Sequence, residues 1–200
     1  MNKSIPLTAL VTLATAFAVS FWLTRGNASE GQTAKKTDNA STSQRVARGQ
    51  YLVSTAGCHD CHTPFKMGDR GPEPDMSRAL SGHPAEMKLP PAPAPQGPWI
   101  VSIAATNTAY AGPWGVSFTA NLTPDVETGL GTWTEENFIQ TIRTARHLGR
   151  GRPILPPMPA PVYAHFTDED LGAIFAYLKS LPPRKNQVPT PLPPPAPPKG

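Results

Sequence analysis

The chain has 200 residues, enough for one domain with appendages, and its 26 prolines and 16 glycines leave room for few long uninterrupted helices. Charged residues make up 16%, too sparse for a highly charged disordered chain. The formal net charge of +4 would shrink on loss of residues 1–28, which hold Lys3 and Arg25 and no acid, so net charge argues against nucleic acid and names no other partner.

The N-terminus carries Lys3 and then an apolar run over residues 5–23. That run exceeds an ordinary export-signal core and is just long enough to span a bilayer. Trp22 and Arg25 at its outer end suit an interfacial anchor, whereas the small Gly26 and Ala28 are spaced for cleavage before Ser29. Residues 1–28 are expected to be an export signal or a membrane anchor. In either form residues 29–200 stand on the periplasmic side of the cytoplasmic membrane. Residues 29–43 are small and polar and read as a linker. The globular part then opens with a helix predicted over residues 43–56, in which Val46, Leu52 and Val53 are apolar and Tyr51 adds an amphipathic ring. Gly57 is expected to close it in a left-handed cap.

Residues 58–62 read Cys-His-Asp-Cys-His, the C-x-x-C-H pattern that attaches a c-type haem. Two thiols at this spacing can each add to one vinyl group of a single porphyrin. His62 is then held beneath the iron as its proximal ligand. Both cysteines of the chain, Cys58 and Cys61, are used here. A thioredoxin-like redox pair would not need the adjacent histidine, and a closed zinc site wants four ligands, usually from a second pair. Covalent haem attachment is expected outside the cytoplasmic membrane, so this motif and the N-terminal segment agree.

From residue 63 to about 119 the pattern is irregular. Residues 89–98 contain five prolines and cannot be helix or central strand. They are expected to loop around the haem edge and pack Trp99, Ile100 and Trp114 against it; a proline-rich ligand for another domain is the weaker alternative. Residues 121–131 look like two successive turns, broken at Pro124-Asp125 and at Gly129 and Gly131. Thr134 can N-cap a helix reaching about residue 147, with Glu135 and Glu136 at its positive end and Phe138, Ile139, Ile142 and Ala145 as its apolar stripe. Gly149 and Gly151 end it. Between residues 143 and 152 lie Arg143, Arg146, His147, Arg150 and Arg152 with no acid, a positive strip that could steer an acidic partner.

Residues 152–161 hold five prolines and Met158. Such a loop is stiff and extended and can hold a thioether at one point. A last helix starts at Thr167, with Asp170 as a box-like cap and Leu171, Ile174, Phe175 and Leu178 on its apolar face. Lys179 sits at its negative end, and Pro182-Pro183 stop it. Residues 184–200 read as a proline-rich tail, extended and unpacked. Trp133 and Tyr163 are expected pocket or core aromatics. The acids at 168–170 are cap charges, and no phosphate loop, nucleophile elbow or second metal constellation is visible, so no catalytic residue is assigned.

Residues 49–64 (GQYLVSTAGCHDCHTP), 121–133 (NLTPDVETGLGTW), 153–159 (PILPPMP) and 167–182 (TDEDLGAIFAYLKSLP) together resemble bacterial class I c-type cytochromes. They are most similar to the cytochrome domains repeated in the membrane-associated cytochrome subunits of alcohol, aldehyde and gluconate dehydrogenases. The resemblance covers residues 44–183. It implies an all-α cytochrome c fold with long proline-rich loops around one covalently bound haem, in which the first and last helices cross. It also implies that Met158 is the distal ligand of the haem iron. Spacing alone leaves Met76 and Met87 open for that position. Met67, five residues beyond His62, would have trouble reaching the opposite face, and His83, His147 and His165 are further candidates. Dehydrogenase subunits of this kind carry several C-x-x-C-H motifs, whereas this chain carries one. The expected function is therefore single-electron transfer by a monohaem carrier rather than enzymatic catalysis. Its partners would be redox proteins, a dehydrogenase or an oxidase. The alternative is a haem protein with an open iron position, acting as a gas sensor or peroxidase.

Overall fold

The computed structural model describes residues 41–93 and 97–194. The expected export signal or anchor, most of the 29–43 linker and the last residues of the tail lie outside the described residues. The chain divides into two compact units, Met1–Gln44 and Arg45–Gly200. Of the first, residues 41–44 are described, as the beginning of a helix. Apart from those four residues, the following elements lie in the second unit.

In chain order the helices are α1 (residues 41–55), α2 (Cys58–His62), α3 (Glu135–Thr144), α4 (Ala160–Tyr163) and α5 (Asp168–Ser180). Between α2 and α3 lie two small antiparallel sheets: β1 (Phe65–Gly68) with β2 (Gly71–Pro74), and β3 (Ser102–Ile103), β4 (Ala109–Gly112) and β5 (Gly115–Phe118) in that spatial order. None of the described helices is long and apolar enough to cross a membrane.

The core is helical, as expected. Leu52 and Val53 of α1, Phe138, Ile139 and Ile142 of α3, and Leu171, Ile174, Phe175 and Leu178 of α5 form one buried cluster. The spacing of these residues puts each set on one face of its helix, and each fully buried side chain contributes about 1.5–3 kcal/mol. The Phe138 and Phe175 rings pack with centroids 5.5 Å apart. From α1, Gly49 packs against α5, where a Cβ would lie 1.9 Å from the Ala173 carbonyl oxygen. Only a residue without a side chain allows this approach. Arg48 pairs with Asp170 across the same contact at 2.9 Å. Tyr51 faces outward, its ring 5.7 Å from the Arg48 guanidinium.

Both predicted helix starts have the expected caps. Thr134 Oγ1 accepts the Asn137 N–H at 3.1 Å, and Thr167 Oγ1 accepts the Asp170 N–H at 3.1 Å. The α3 helix stops at Thr144, short of the predicted residue 147, because Ala145 turns left-handed (φ 51°) and its carbonyl accepts the Ile154 N–H at 2.8 Å. A 3-10 turn, His147–Gly149, follows. Lys179 reaches past its own helix end and donates to the Leu130 and Gly131 carbonyls at 3.2 and 2.7 Å.

Three local expectations need correction. Residues 65–74 and 102–118 form two small antiparallel strand systems rather than irregular chain. Their strands span two to four residues between prolines and glycines, too few for a period-2 pattern to register. Trp99 and Ile100, expected at a haem edge, are 78% and 56% exposed and do not line the cavity described below. They lead into β3, the outer strand of its sheet, which carries them away from the core. Trp114 occupies the two-residue turn between Gly112 and Gly115.

The 184–200 tail, expected to be unpacked, is docked over its described part. Val116 and Leu192 exchange two backbone hydrogen bonds at 2.9 Å, and the Asn186 side chain is buried beneath the chain. Proline fixes an extended backbone, and a chain already extended pairs readily wherever a residue with an N–H, here Leu192, interrupts the prolines.

Candidate cofactor site

The short helix α2 follows directly from α1 through Gly57, whose left-handed backbone (φ 71°) makes the corner. This corner brings Cys58, Cys61 and His62 to the lining of a cavity of about 390 Å³. Met158 lines the same cavity, from the proline-rich loop between the 3-10 turn and α4. The structure therefore brings together all four residues singled out from sequence: Cys58, Cys61, His62 and Met158.

His62 is buried, and its Nδ1 lies 2.8 Å from the Ala120 carbonyl oxygen. That bond fixes the tautomer with hydrogen on Nδ1 and leaves Nε2 as the ring nitrogen with a lone pair. Burial holds the imidazole below its ordinary pKa, so it is neutral at pH 7. A neutral, oriented imidazole backed by a carbonyl is what a metal ligand requires. Burial also pushes the Cys58 thiol up to about 11. The Tyr110 hydroxyl lies 3.3 Å from Cys61 Sγ and 2.8 Å from the Asn107 carbonyl oxygen, with one hydrogen to share between them. Burial first, then this contact, raises the Tyr110 phenol well above its usual range.

The Met158 part of the lining is held by contacts distant in sequence. Ser117 Oγ on β5 donates to the Pro156 carbonyl at 2.5 Å, and Arg146 and Pro153 form an antiparallel bridge at the root of the loop. Pro156, Pro157 and Pro159 line the cavity beside Met158, so the thioether stands on a backbone with few free torsions. Tyr163 closes the side next to α1, its hydroxyl donating to the Ala56 carbonyl at 2.5 Å, and burial raises its pKa to about 12.

Of the other residues weighed for an iron ligand, His147 also lines the cavity, with its ring edge-on to Trp133 at 5.1 Å. Met67, Met76 and Met87 are exposed. His83 is fully buried elsewhere, its Nδ1 2.9 Å from Thr108 Oγ1. His165 is exposed and does not line the cavity. In the arginine strip, Arg143 is bonded to the Ala164 carbonyl and to Asp168, and Arg146 donates to the Gly151 carbonyl at 2.8 Å. Arg152 lines the cavity, and Arg150 is exposed.

The donor set fits a c-type haem. The remaining lining is apolar in large part, including Leu122, Leu130, Phe138, Ile142 and Phe166, and its volume falls in the range of cofactor pockets. Thr119 Oγ1, also on the cavity, is buried with no hydrogen-bond partner, so a bound polar group could satisfy it. Three lining contributions were not foreseen from sequence: Ser117, Thr119 and the 187–191 stretch of the tail. Nothing in their local pattern points to a pocket, since each arrives there by pairing with a distant segment.

Comparison with known proteins agrees with this geometry. The family model for cytochrome c matches residues 46–182. The cytochrome c subunit of alcohol dehydrogenase (quinone) from Gluconobacter oxydans (strain 621H) is 26% identical over 132 residues, covering 66% of this chain and 20% of that protein. The gluconate 2-dehydrogenase cytochrome c subunit of Pantoea cypripedii is 28% identical over 142 residues, covering 70% of this chain and 24% of that protein. The alcohol dehydrogenase (quinone) cytochrome c subunit of Komagataeibacter europaeus is 32% identical over 151 residues, covering 71% and 25%. The chain thus spans about a quarter or less of the length of these relatives. The matched span runs from α1, through the cysteine pair, to the end of α5, and on that span the chain belongs to the cytochrome c family.

Proposed function

We propose that this chain is a monohaem cytochrome that carries single electrons on the periplasmic side of the cytoplasmic membrane, and that His62 and Met158 would ligate its iron. The observation that carries the reading is the single cavity lined by Cys58, Cys61, His62 and Met158. Haem c, when bound, supplies a one-electron Fe(III)/Fe(II) couple. The chain's own residues do the rest. Cys58 and Cys61 would hold the cofactor covalently, each thiol adding its S–H across one vinyl group, which needs no oxidant. His62 offers Nε2, oriented by the Ala120 carbonyl. Met158 offers a soft thioether that favours the ferrous state and raises the potential relative to a harder ligand. The apolar walls would shield the bound group from water, which suits a carrier rather than an enzyme.

A dehydrogenase is the proposed electron donor, on the strength of relatives named as dehydrogenase subunits. Residues 5–23 are proposed to direct export or to anchor the chain in the membrane. Acid–acetone extraction tests the core of this reading: the colour should stay with the protein, and freely extracted haem would overturn it. Carbon monoxide added to the reduced protein at neutral pH should bind slowly or not at all. Rapid binding would replace the His62–Met158 carrier with a haem protein whose iron has an open position.

A further inference from the structure

The C-terminal stretch beyond α5 is held on the domain by contacts that go beyond incidental packing. Asn186 is 6% exposed, and its side chain uses both of its polar atoms. Nδ2 donates to the Ser81 and His83 carbonyls at 2.6 and 2.9 Å, and Oδ1 accepts the Ala85 N–H at 2.9 Å. Its own N–H donates to Thr128 Oγ1 at 3.0 Å. The Arg184 carbonyl accepts from Asn121 Nδ2 at 2.8 Å. Further on, Leu192 pairs with Val116 on the free edge of β5. Gly115 makes room for it: a Cβ there would lie 2.1 Å from the Leu192 carbonyl oxygen. Between these two anchors, Gln187, Val188, Pro189, Thr190 and Pro191 all line the cavity that holds Cys58, Cys61, His62 and Met158.

We infer that residues 184–194 are a built wall of the cofactor site, a strap positioned by Asn186 that shields bound haem from water. The inference rests on the haem reading above and adds to it a segment beyond the family match, which ends at residue 182. The physical role follows from charge. Ferric haem carries one more positive charge than ferrous haem, and water stabilises the more charged state. Removing the strap therefore favours Fe(III) and lowers the midpoint potential. Asn186 acts through the strap and touches no reacting atom, so it is a positioning residue.

The test compares the full-length holoprotein with Asn186→Ala and Leu192→Pro. The second substitution removes the N–H that Val116 accepts and leaves the Asn186 anchor alone. Strap docking is read by trypsin cleavage after Arg184 and Lys185, which requires local release of the chain. Asn186→Ala should speed this cleavage about tenfold or more, because buried carbonyls lose their donors, and Leu192→Pro should speed it less. Both should lower the midpoint potential while keeping the haem covalently attached. Cleavage at the wild-type rate in both variants would overturn the strap, and faster cleavage with an unchanged potential would overturn its shielding role. A wild-type chain lacking covalent haem would sink the haem reading instead. That outcome is distinct, because proteolysis reads docking without any cofactor.

Discussion

In one part of the cavity lining Cys58, Cys61 and His62 fall within five consecutive residues, at the corner where Gly57 ends α1. Elsewhere in the lining Met158 stands on a loop tied through Pro156 to Ser117, 39 residues earlier in the chain, and the strap anchored by Asn186, about 100 residues from its partners Ser81 and His83, supplies a further part. The first wall is local: a helix, a cap and a motif position it together. The second is assembled only when distant segments meet. The local wall should thus share the fate of the helical core, whereas the non-local wall can be opened with the core intact.

The largest expected effect is on the helical core. Gly49→Val places a branched side chain where even a Cβ would meet the Ala173 carbonyl oxygen at 1.9 Å. The crossing of α1 and α5 must then give way, at a cost of about 1–3 kcal/mol or more, with a fall in Tm on the order of 5–10 °C. Thermal unfolding followed by circular dichroism checks it. An unchanged Tm would mean that the helix crossing does not support the motif wall.

Next in size is the other wall. Met158→Ala should leave Tm nearly unchanged and open the reduced haem to carbon monoxide. Met158→His should keep six-coordination and lower the midpoint potential. If neither variant changes the spectrum or the potential, His147, the other candidate ligand lining the cavity, becomes the residue to test.

A smaller effect is expected at the anchor of the Met158 loop. Ser117→Ala removes the donor to the Pro156 carbonyl, worth about 1 kcal/mol. Carbon monoxide should then bind measurably but more weakly than in Met158→Ala. An affinity equal to wild type would show that prolines alone hold the loop.

The smallest effect is confined to rate and to low salt. Arg150 is exposed, and Arg152 lines the cavity on the same strip. Reversing both to Glu should slow electron transfer with an acidic partner at 0.01 M salt, where the Debye length is about 30 Å, and matter less at 0.1 M, where it is about 10 Å. Equal rates at low salt would separate this strip from docking.

The amino-acid sequence by itself determined the chemistry of the attachment wall and the helices that carry it. Cys58, Cys61 and His62 lie within one turn of the chain, and the caps Thr134 and Thr167 and the apolar stripes of α3 and α5 are set by spacing of at most a few residues. Interactions between near neighbours leave a pattern that can be read. Tertiary structure decided what the rest of the chain does. Trp99 looks like a pocket aromatic until β3 takes the outer edge of its sheet, and the proline-rich tail looks unpacked until Leu192 finds Val116 and Asn186 finds the Ser81 and His83 carbonyls. Those outcomes depend on which backbone groups are left unpaired once the core has formed, and no local pattern of side chains records that.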